Sequence, residues 1–154
     1  MGVYLITGGA NGIGANIAAR LRGNGHSIMF ADIARVDLPG VRSVICDLTD
    51  EGQIASLLFG VEALEGKLDG LVCHAAANGA DDDFAGTGML INAAARLLRE
   101  GRGAAMAIDS GKTTGLSALA RTLSRNLGPE IRVGCIAPFY PEQHFESLAA
   151  YLAS

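Results

Sequence analysis

Short runs of apolar residues alternate along the chain with longer stretches in which apolar residues recur every three or four positions. The short runs are rich in Val, Ile, Leu and Ala and show little polar alternation, which is typical of parallel strands covered on both faces. They predict six strands, at Val3 to Thr7, Ser27 to Ala31, Val41 to Cys46, Leu68 to His74, Ala104 to Ile108 and Ile131 to Ala137.

The longer stretches predict amphipathic helices between the strands. The first helix has apolar positions at Ile13, Ile17, Ala18 and Leu21; the second, which Thr49 or Asp50 can cap, has them at Ile54, Leu57, Leu58, Val61 and Leu64. Further helices are expected at Met89 to Glu100, about Lys112 to Asn126 and Glu142 to Leu152, with an exposed loop at Asp81 to Gly88. Alternation throughout predicts an α/β fold, a doubly wound parallel sheet of about six strands in three layers, as one domain spanning residues 1–154.

Composition narrows the function classes. The 154 residues are 49% hydrophobic, enough for a covered central sheet, and carry a net charge of −4 with no basic cluster, which argues against a general nucleic-acid binder. No apolar run approaches the length of a membrane span. Because the chain enters a strand at once, without a basic leader or cleavage site, a cytoplasmic protein is expected.

The three cysteines, Cys46, Cys73 and Cys135, are odd in number, widely spaced and set in strand-like runs. Buried free thiols are the expected interpretation. A metal site would require clustered ligands, so none is predicted.

The first predicted strand leads into a glycine-rich turn, with Gly8, Gly12 and Gly14 in the spacing Thr-Gly-x-x-x-Gly-x-Gly. Glycines allow a tight turn and close approach to a diphosphate, and the following helix contributes backbone N–H groups and a positive dipole. An ordinary turn is the alternative. Because a strand precedes the motif and a helix follows it, a dinucleotide-binding site is predicted.

Asp32 ends the second predicted strand, 18 positions after Gly14. A carboxylate there can accept both hydrogen bonds of an adenosine ribose and repels a 2′-phosphate. The alternative is a solvated turn residue. Arg35 could soften the preference, so NAD is favoured and NADP is less favoured as the cofactor.

Together these residues resemble the short-chain dehydrogenase/reductase family, over nearly the whole chain. The resemblance is carried by Thr7-Gly8-Gly9-Ala10-Asn11-Gly12-Ile13-Gly14, Asp32, Cys46-Asp47-Leu48, Leu71-Val72-Cys73-His74-Ala75-Ala76, Arg121-Thr122-Leu123-Ser124, and Ile131-Arg132-Val133 through Ile136-Ala137-Pro138. It implies that Asn11 and Ile13 belong to the cofactor turn and that Asp47 and Leu48 lie against the adenine. It also implies that Ala75 and Ala76 replace part of the family's Asn-Asn-Ala-Gly and that Pro138 lies near the nicotinamide. His74 is expected to be a structural substitution.

The resemblance breaks down at the catalytic residues. The family uses a Ser after the fifth strand, and then a Tyr with a Lys four positions later, where the Lys lowers the pKa of the phenol. No Tyr-x-x-x-Lys occurs in this sequence, and alignment places Asp109 and Thr113 at those positions. Three replacements are candidates, namely Ser110, Lys112 and Tyr140, the last with His144 as a proton relay. The alternatives are a solvated helix-start Lys and an ordinary surface Tyr–His pair.

Two functions follow as hypotheses. The first is an NAD(P)-dependent oxidoreductase that interconverts an alcohol and a carbonyl; the second is a dinucleotide-binding scaffold, regulatory subunit or non-redox enzyme. A partial record of a longer chain is a third possibility, because the family's last strand and most of its substrate lid have no counterpart here. A homodimer or homotetramer is expected, because helices Met89 to Glu100 and Lys112 to Asn126 correspond to the family's dimer-forming helices and because strand Ile131 to Ala137 would have a free edge.

Overall fold

The strands form a parallel sheet in a computed structural model that describes residues 1–8, 13–35, 37–74, 83–108 and 116–136. The strands are β1 (Val3–Thr7), β2 (Ser27–Asp32), β3 (Arg42–Ile45), β4 (Gly70–His74), β5 (Ala104–Ile108) and β6 (Arg132–Ile136). The helices are α1 (Ile13–Gly23), α2 (Glu51–Glu65), α3 (Asp83–Glu100) and α4 (Leu116–Leu127). All six predicted strands are therefore confirmed, with shorter bounds for three of them.

The strand order is β3-β2-β1-β4-β5-β6, and every neighbouring pair is parallel. The chain builds outward from β1 to β3, then returns to the other side of β1 and builds outward again. A doubly wound sheet is thus confirmed, and its winding direction reverses between β1 and β4. Ligands of such sheets bind beyond the carboxyl ends of the strands at this point of reversal.

Alternate residues of β1 supply two cores, one on each face of the sheet. Val3 and Leu5 join a cluster under α2 and α3, whereas Tyr4 and Ile6 join a cluster under α1. All four side chains are buried, as expected for a central parallel strand covered on both sides. The fold thus rests on the apolar run that opens the chain.

The expected alternation of strand and helix is wrong between β2 and β3. A parallel crossover usually contains a helix, but here it consists of an irregular connection with Pro39 and a left-handed Gly40 (φ +71°). A side chain at Gly40 would collide with the Arg22 guanidinium. Without a covering helix, Val44 and Ile45 of β3 are exposed.

Helix α2 has well-formed ends. The Asp50 carboxylate caps it by accepting from the N–H groups of Gly52 and Gln53, and Gly66 ends it in the left-handed conformation. Asp50 is therefore the cap, not Thr49. The prediction for Leu64 is wrong, since it is 55% exposed. The inward stripe continues instead at Glu65, whose carboxylate accepts from the Ser27 hydroxyl at 2.9 Å.

The expected loop at Asp81 to Gly88 is also wrong where it is described, because α3 begins at Asp83. Leu90, Ala94, Leu97 and Leu98, the apolar positions that helical spacing predicts in this helix, are buried, together with Ile91 and Ala95. Cys46 and Cys73 are buried free thiols, as predicted, whereas Cys135 is partly exposed. Within the described ranges, no group of His, Cys, Asp and Glu could hold a metal ion, and no helix is long and apolar enough to cross a membrane.

Asp69 connects the amino ends of the three central strands. Its carboxylate is 2% exposed and accepts from the N–H of Val3 (2.8 Å) and the N–H of Arg102 (3.1 Å), with Lys67 Nζ at 3.1 Å. Its own backbone donates to the Val3 carbonyl and accepts from Ala104 N–H. Burial alone would raise the pKa of Asp69, but these donors outweigh it and hold the pKa below its usual value.

We expect Asp69→Asn to lower the free energy of unfolding by about 2–4 kcal/mol, because it removes the partner of Lys67 and turns an amide N–H towards a backbone donor. Urea unfolding followed by circular dichroism measures this. Asp37→Asn is the control: Asp37 is exposed, and its loss should change stability by less than about 0.5 kcal/mol. Equal effects of the two substitutions would refute the role of Asp69.

His26 fastens the beginning of the chain to the same edge of the sheet. Its Nδ1 accepts from the Gly2 N–H at 2.9 Å, and its ring packs edge-on against Tyr4 with centroids 5.1 Å apart. Burial lowers the pKa of His26, and the N-terminal ammonium and Arg102 lower it further. The neutral ring is therefore the folded form.

We expect stability to fall as the pH drops below about 6.5, the ordinary pKa of the unfolded side chain. Between that value and the lower folded pKa, the unfolded state binds more protons, so acidification favours unfolding. The thermal midpoint should fall more between pH 7.5 and 5.5 in the native chain than in His26→Gln, whose amide oxygen can replace the acceptor but does not titrate. An identical fall in both chains would contradict the assignment.

Candidate functional site

The candidate site lies at the carboxyl edge of the sheet, where Gly8 follows the last residue of β1. Gly8 follows β1 directly, has φ +74°, and donates its N–H to the Ala31 carbonyl of β2 at 3.1 Å. Residues with a Cβ rarely adopt this conformation. Gly8 therefore directs the chain away from the sheet at the position that the sequence predicted.

Helix α1 begins at Ile13 and returns across the sheet, with Gly14 buried in its first turn. Its buried side chains, Ile17, Ala18 and Leu21, pack on β1 and β2 residues and hold the helix start above the end of β1. The positive end of the helix dipole thus faces the edge where the strands end.

Asp32 ends β2 beside the turn and is partly exposed. Its Oδ1 accepts from the N–H of Ile33 at 2.7 Å, which fixes the direction of the carboxylate and uses one of its two oxygens. Its carbonyl accepts from Cys46 N–H at 2.8 Å, so the ends of β2 and β3 are joined. The arrangement presents a charged acceptor of fixed orientation at the sheet edge.

Asp47 is held by the residues that start α2. Its Oδ1 accepts from the backbone N–H (2.9 Å) and the hydroxyl (2.7 Å) of Thr49, and both bonds lower the pKa of Asp47. Its own N–H donates to Gln53 Oε1 at 2.8 Å. Thr49 and Gln53 were not predicted to have these roles, although their spacing from Asp47 and Asp50 is that of an Asx turn followed by a helix cap.

Leu48 packs against the core from the loop between β3 and α2. Gly86 of α3 lies directly beneath it: a Cβ at Gly86 would be 2.9 Å from both the Cβ and the carbonyl oxygen of Leu48. Gly86 therefore serves close packing of a helix against a loop, which explains why a glycine-rich segment forms part of α3. Because the segment from Asp81 to Gly88 is rich in glycine, the sequence predicted a loop there and not the first turns of a helix.

The pair Thr7 and Cys73 lies in register across β1 and β4, below the point where the winding direction reverses. Burial raises the pKa of Cys73 to about 12, and interaction with the Thr7 hydroxyl offsets a part of this rise. Within the described part of the chain, the buried Thr7 Oγ1 makes no well-formed hydrogen bond. A thiol with this pKa remains protonated near neutral pH and is a poor nucleophile.

The remaining candidates fall outside the described residues. These are Asn11, Gly12, Ala75, Ala76, Ser110, Lys112, Pro138 and Tyr140, together with His144, Asp109, Thr113 and the helix expected at Glu142 to Leu152. The structure thus brings Gly8, Gly14, Asp32, Asp47 and Leu48 to one edge of the sheet.

No family model matches the chain. Among curated proteins, 3-oxoacyl-[acyl-carrier-protein] reductase MabA of Mycobacterium tuberculosis is 35% identical over 71 residues, which are 46% of this chain and 29% of that protein. The 2-dehydro-3-deoxy-L-rhamnonate dehydrogenase (NAD(+)) of a Sphingomonas species is 29% identical over an alignment of 83 positions that covers 49% of this chain and 33% of that protein. The matched segments thus span about a third or less of these relatives.

Solved structures extend the likeness to nearly the whole chain. A C-terminal deletion mutant of Thermoplasma acidophilum aldohexose dehydrogenase gives a TM-score of 0.85 at 18% identity, covering 99% of this chain and 89% of that one. A double mutant of a Serratia marcescens short-chain dehydrogenase/reductase gives 0.77 at 22% identity, with coverage of 99% and 89%. At these identities the likeness establishes the fold, and together with the curated matches it confirms the resemblance stated from the sequence.

We expect Gly86→Ala to be less stable than Gly88→Ala by about 1–3 kcal/mol, because the added methyl group would displace Leu48 and its loop. Gly88 is the matched control, two positions along the same helix. A Cβ there would lie 3.5 Å from the Leu119 side chain, an ordinary contact, and helix propensity favours Ala by up to about 1 kcal/mol. Urea unfolding of both variants measures the difference. Equal stability would show that Leu48 yields without cost.

Proposed function

We propose that this relative of the short-chain dehydrogenases/reductases is a nicotinamide-dinucleotide-dependent oxidoreductase that interconverts an alcohol and a carbonyl, with NAD favoured over NADP. The observation that carries the proposal is the pairing of a left-handed Gly8 at the end of β1 with a fixed Asp32 carboxylate at the end of β2. Both lie beside the point of reversal between β1 and β4, where dinucleotides bind in such folds.

The described residues fit the adenosine and diphosphate parts of a dinucleotide. The turn at Gly8 lets the backbone approach a diphosphate, and the start of α1 supplies N–H groups and positive potential. Asp32 would accept from the ribose hydroxyls, and Asp47 and Leu48 would border the adenine. We include Asn11, Gly12, Ile13, Ala75, Ala76 and Pro138 in the same proposed site.

The bound nicotinamide would supply or take up the hydride. The chain must then provide a proton donor or acceptor within about 3 Å of the substrate oxygen. We propose the hydroxyls of Ser110 and Tyr140 for contact with that oxygen and the Lys112 ammonium for the ribose of the cofactor. A cation near a phenol lowers its pKa, so Lys112 and Tyr140 would act best together.

The proposal includes a small-molecule alcohol or carbonyl as the partner and a homodimer or homotetramer formed through the faces of α3 and α4. It also includes a cytoplasmic location. The cysteines support this location, since none of Cys46, Cys73 and Cys135 forms a disulfide and a reducing compartment preserves thiols.

A second candidate is a dinucleotide-binding scaffold, regulatory subunit or non-redox enzyme. The observation that favours it is the sequence itself, in which no Tyr is followed by Lys four positions later. Binding of the cofactor and hydride transfer are separable, because the first depends on β1 to β3 and the second on groups beyond β5 and β6.

Titration with NADH, followed by nicotinamide fluorescence, tests the binding step, and turnover against a panel of alcohols and carbonyls tests the chemistry. We expect Asp32→Asn to weaken NADH binding by about 10-fold, because it removes a charge-assisted hydrogen bond. Glu100→Gln also removes one negative charge, but at the opposite edge of the sheet, and it should leave NADH binding unchanged.

Binding with turnover supports the oxidoreductase. Binding without turnover of any substrate in the panel favours the second candidate. A native chain that binds neither NADH nor NADPH overturns both proposals.

A further inference from the structure

Two opposite charges stand on the connection between β2 and β3, where the usual crossover helix is absent. Arg35 Nε lies 3.4 Å from Asp37 Oδ1, and the two side chains are 79% and 84% exposed. Both line an open groove of about 700 Å³. The other lining residues are Leu38, Pro39, Val41, Ser43, Val44 and Ile45. A groove of this size is within the range of small-molecule sites.

The groove adjoins the end of β2. Ile45, which lines it, is the register partner of Asp32, and Arg35 follows Asp32 by three positions. If Asp32 accepts from an adenosine ribose, the groove begins beside the 2′-position of that ribose. The charges on the groove therefore face the group that distinguishes NADP from NAD.

The ion pair changes what Arg35 can do there. A guanidinium near the 2′-position attracts a phosphate, and alone it would favour NADP. Here Asp37 Oδ1 accepts from Arg35 Nε, so a carboxylate lies beside the guanidinium and offsets a part of its positive charge. The carboxylates of Asp32 and Asp37 carry two negative charges against the one positive charge of Arg35, so these three side chains have a net negative charge.

We propose that Asp37 is a positioning residue for cofactor choice, which holds Arg35 away from a 2′-phosphate and adds repulsion against it. The inference rests on the proposed function and deepens its preference for NAD. Asp37 acts by positioning Arg35 and through its own negative charge. It does not touch the substrate or the nicotinamide.

Titration of the full-length chain with NADH and with NADPH tests this. In Asp37→Asn, the affinity for NADPH relative to NADH should rise by about 3- to 10-fold, as expected for loss of one exposed charge near a doubly charged phosphate. The gain should shrink as salt is raised from 0.05 to 0.5 M, because salt screens exposed charges. Asp37→Glu keeps the charge and should retain the native ratio.

The double variant Arg35→Gln with Asp37→Asn separates the two parts of the proposal. Most of the gain should disappear, because no guanidinium remains to be released. If Asp37→Asn binds NADH and its ratio of NADPH to NADH affinity stays within twofold of the native ratio, the role of Asp37 is overturned and the proposed function is not. Failure of the native chain to bind either dinucleotide overturns the proposed function and this inference with it.

Discussion

The arrangement of the sheet depends on the buried carboxylate of Asp69. Two of its donors are backbone N–H groups, one at the first residue of β1 and one just before β5, and Asp69 itself stands just before β4. The neighbouring backbone bonds at Val3 and Ala104 complete the junction. A charge this well satisfied is stable without water, so the amino edge of the three central strands is fixed in register. The polar residues of the opposite edge need not hold the sheet together and remain available to a ligand.

The sequence predicts most of the framework because the strands are continuous apolar runs, and burial on both faces is what such runs require. Two of the errors, at Leu64 and at the segment that contains Gly86, have a common origin, since each concerns a residue whose role is set by a distant neighbour. Leu64 is apolar and was expected to face the core, but the rotation of α2 places Glu65 there instead. The Glu65 carboxylate accepts a hydrogen bond from Ser27 of β2. From the sequence alone, Gly86 is expected in a loop. Its place in a helix is explained by the close contact with Leu48. The crossover without a helix contains Pro39 and a left-handed Gly40, two residues that disfavour helix and that are visible in the sequence itself.

The candidate site likewise contains residues that local sequence predicts and residues whose positions depend on other elements. The left-handed conformation of Gly8 and the place of Asp32 at the end of β2 are predictable, because local sequence determines both, whereas their roles towards a cofactor stay predictions. Asp47 is predicted through family resemblance, but the bonds from Thr49 and the bond to Gln53 reveal something further. These bonds bind the Asp47 carboxylate to its own loop, which makes it a stabiliser of the loop shape. Leu48 is presented by that loop, and its position depends on Thr49, Gln53 and Gly86 acting together.

If the chain binds a dinucleotide as proposed, its choice of cofactor would follow from the short β2–β3 connection. A crossover helix would cover β3 and supply a helix start near the ribose, where it would attract a phosphate through its dipole. Its absence leaves an open groove whose potential is set by individual side chains, Asp32, Arg35 and Asp37. Such exposed charges act through a high dielectric, so each contributes little and the balance among them decides the sign. Under the proposal, the choice between the two dinucleotides would rest on the net charge at the carboxyl end of β2, while the bonds of Asp69 hold the amino edge of the sheet.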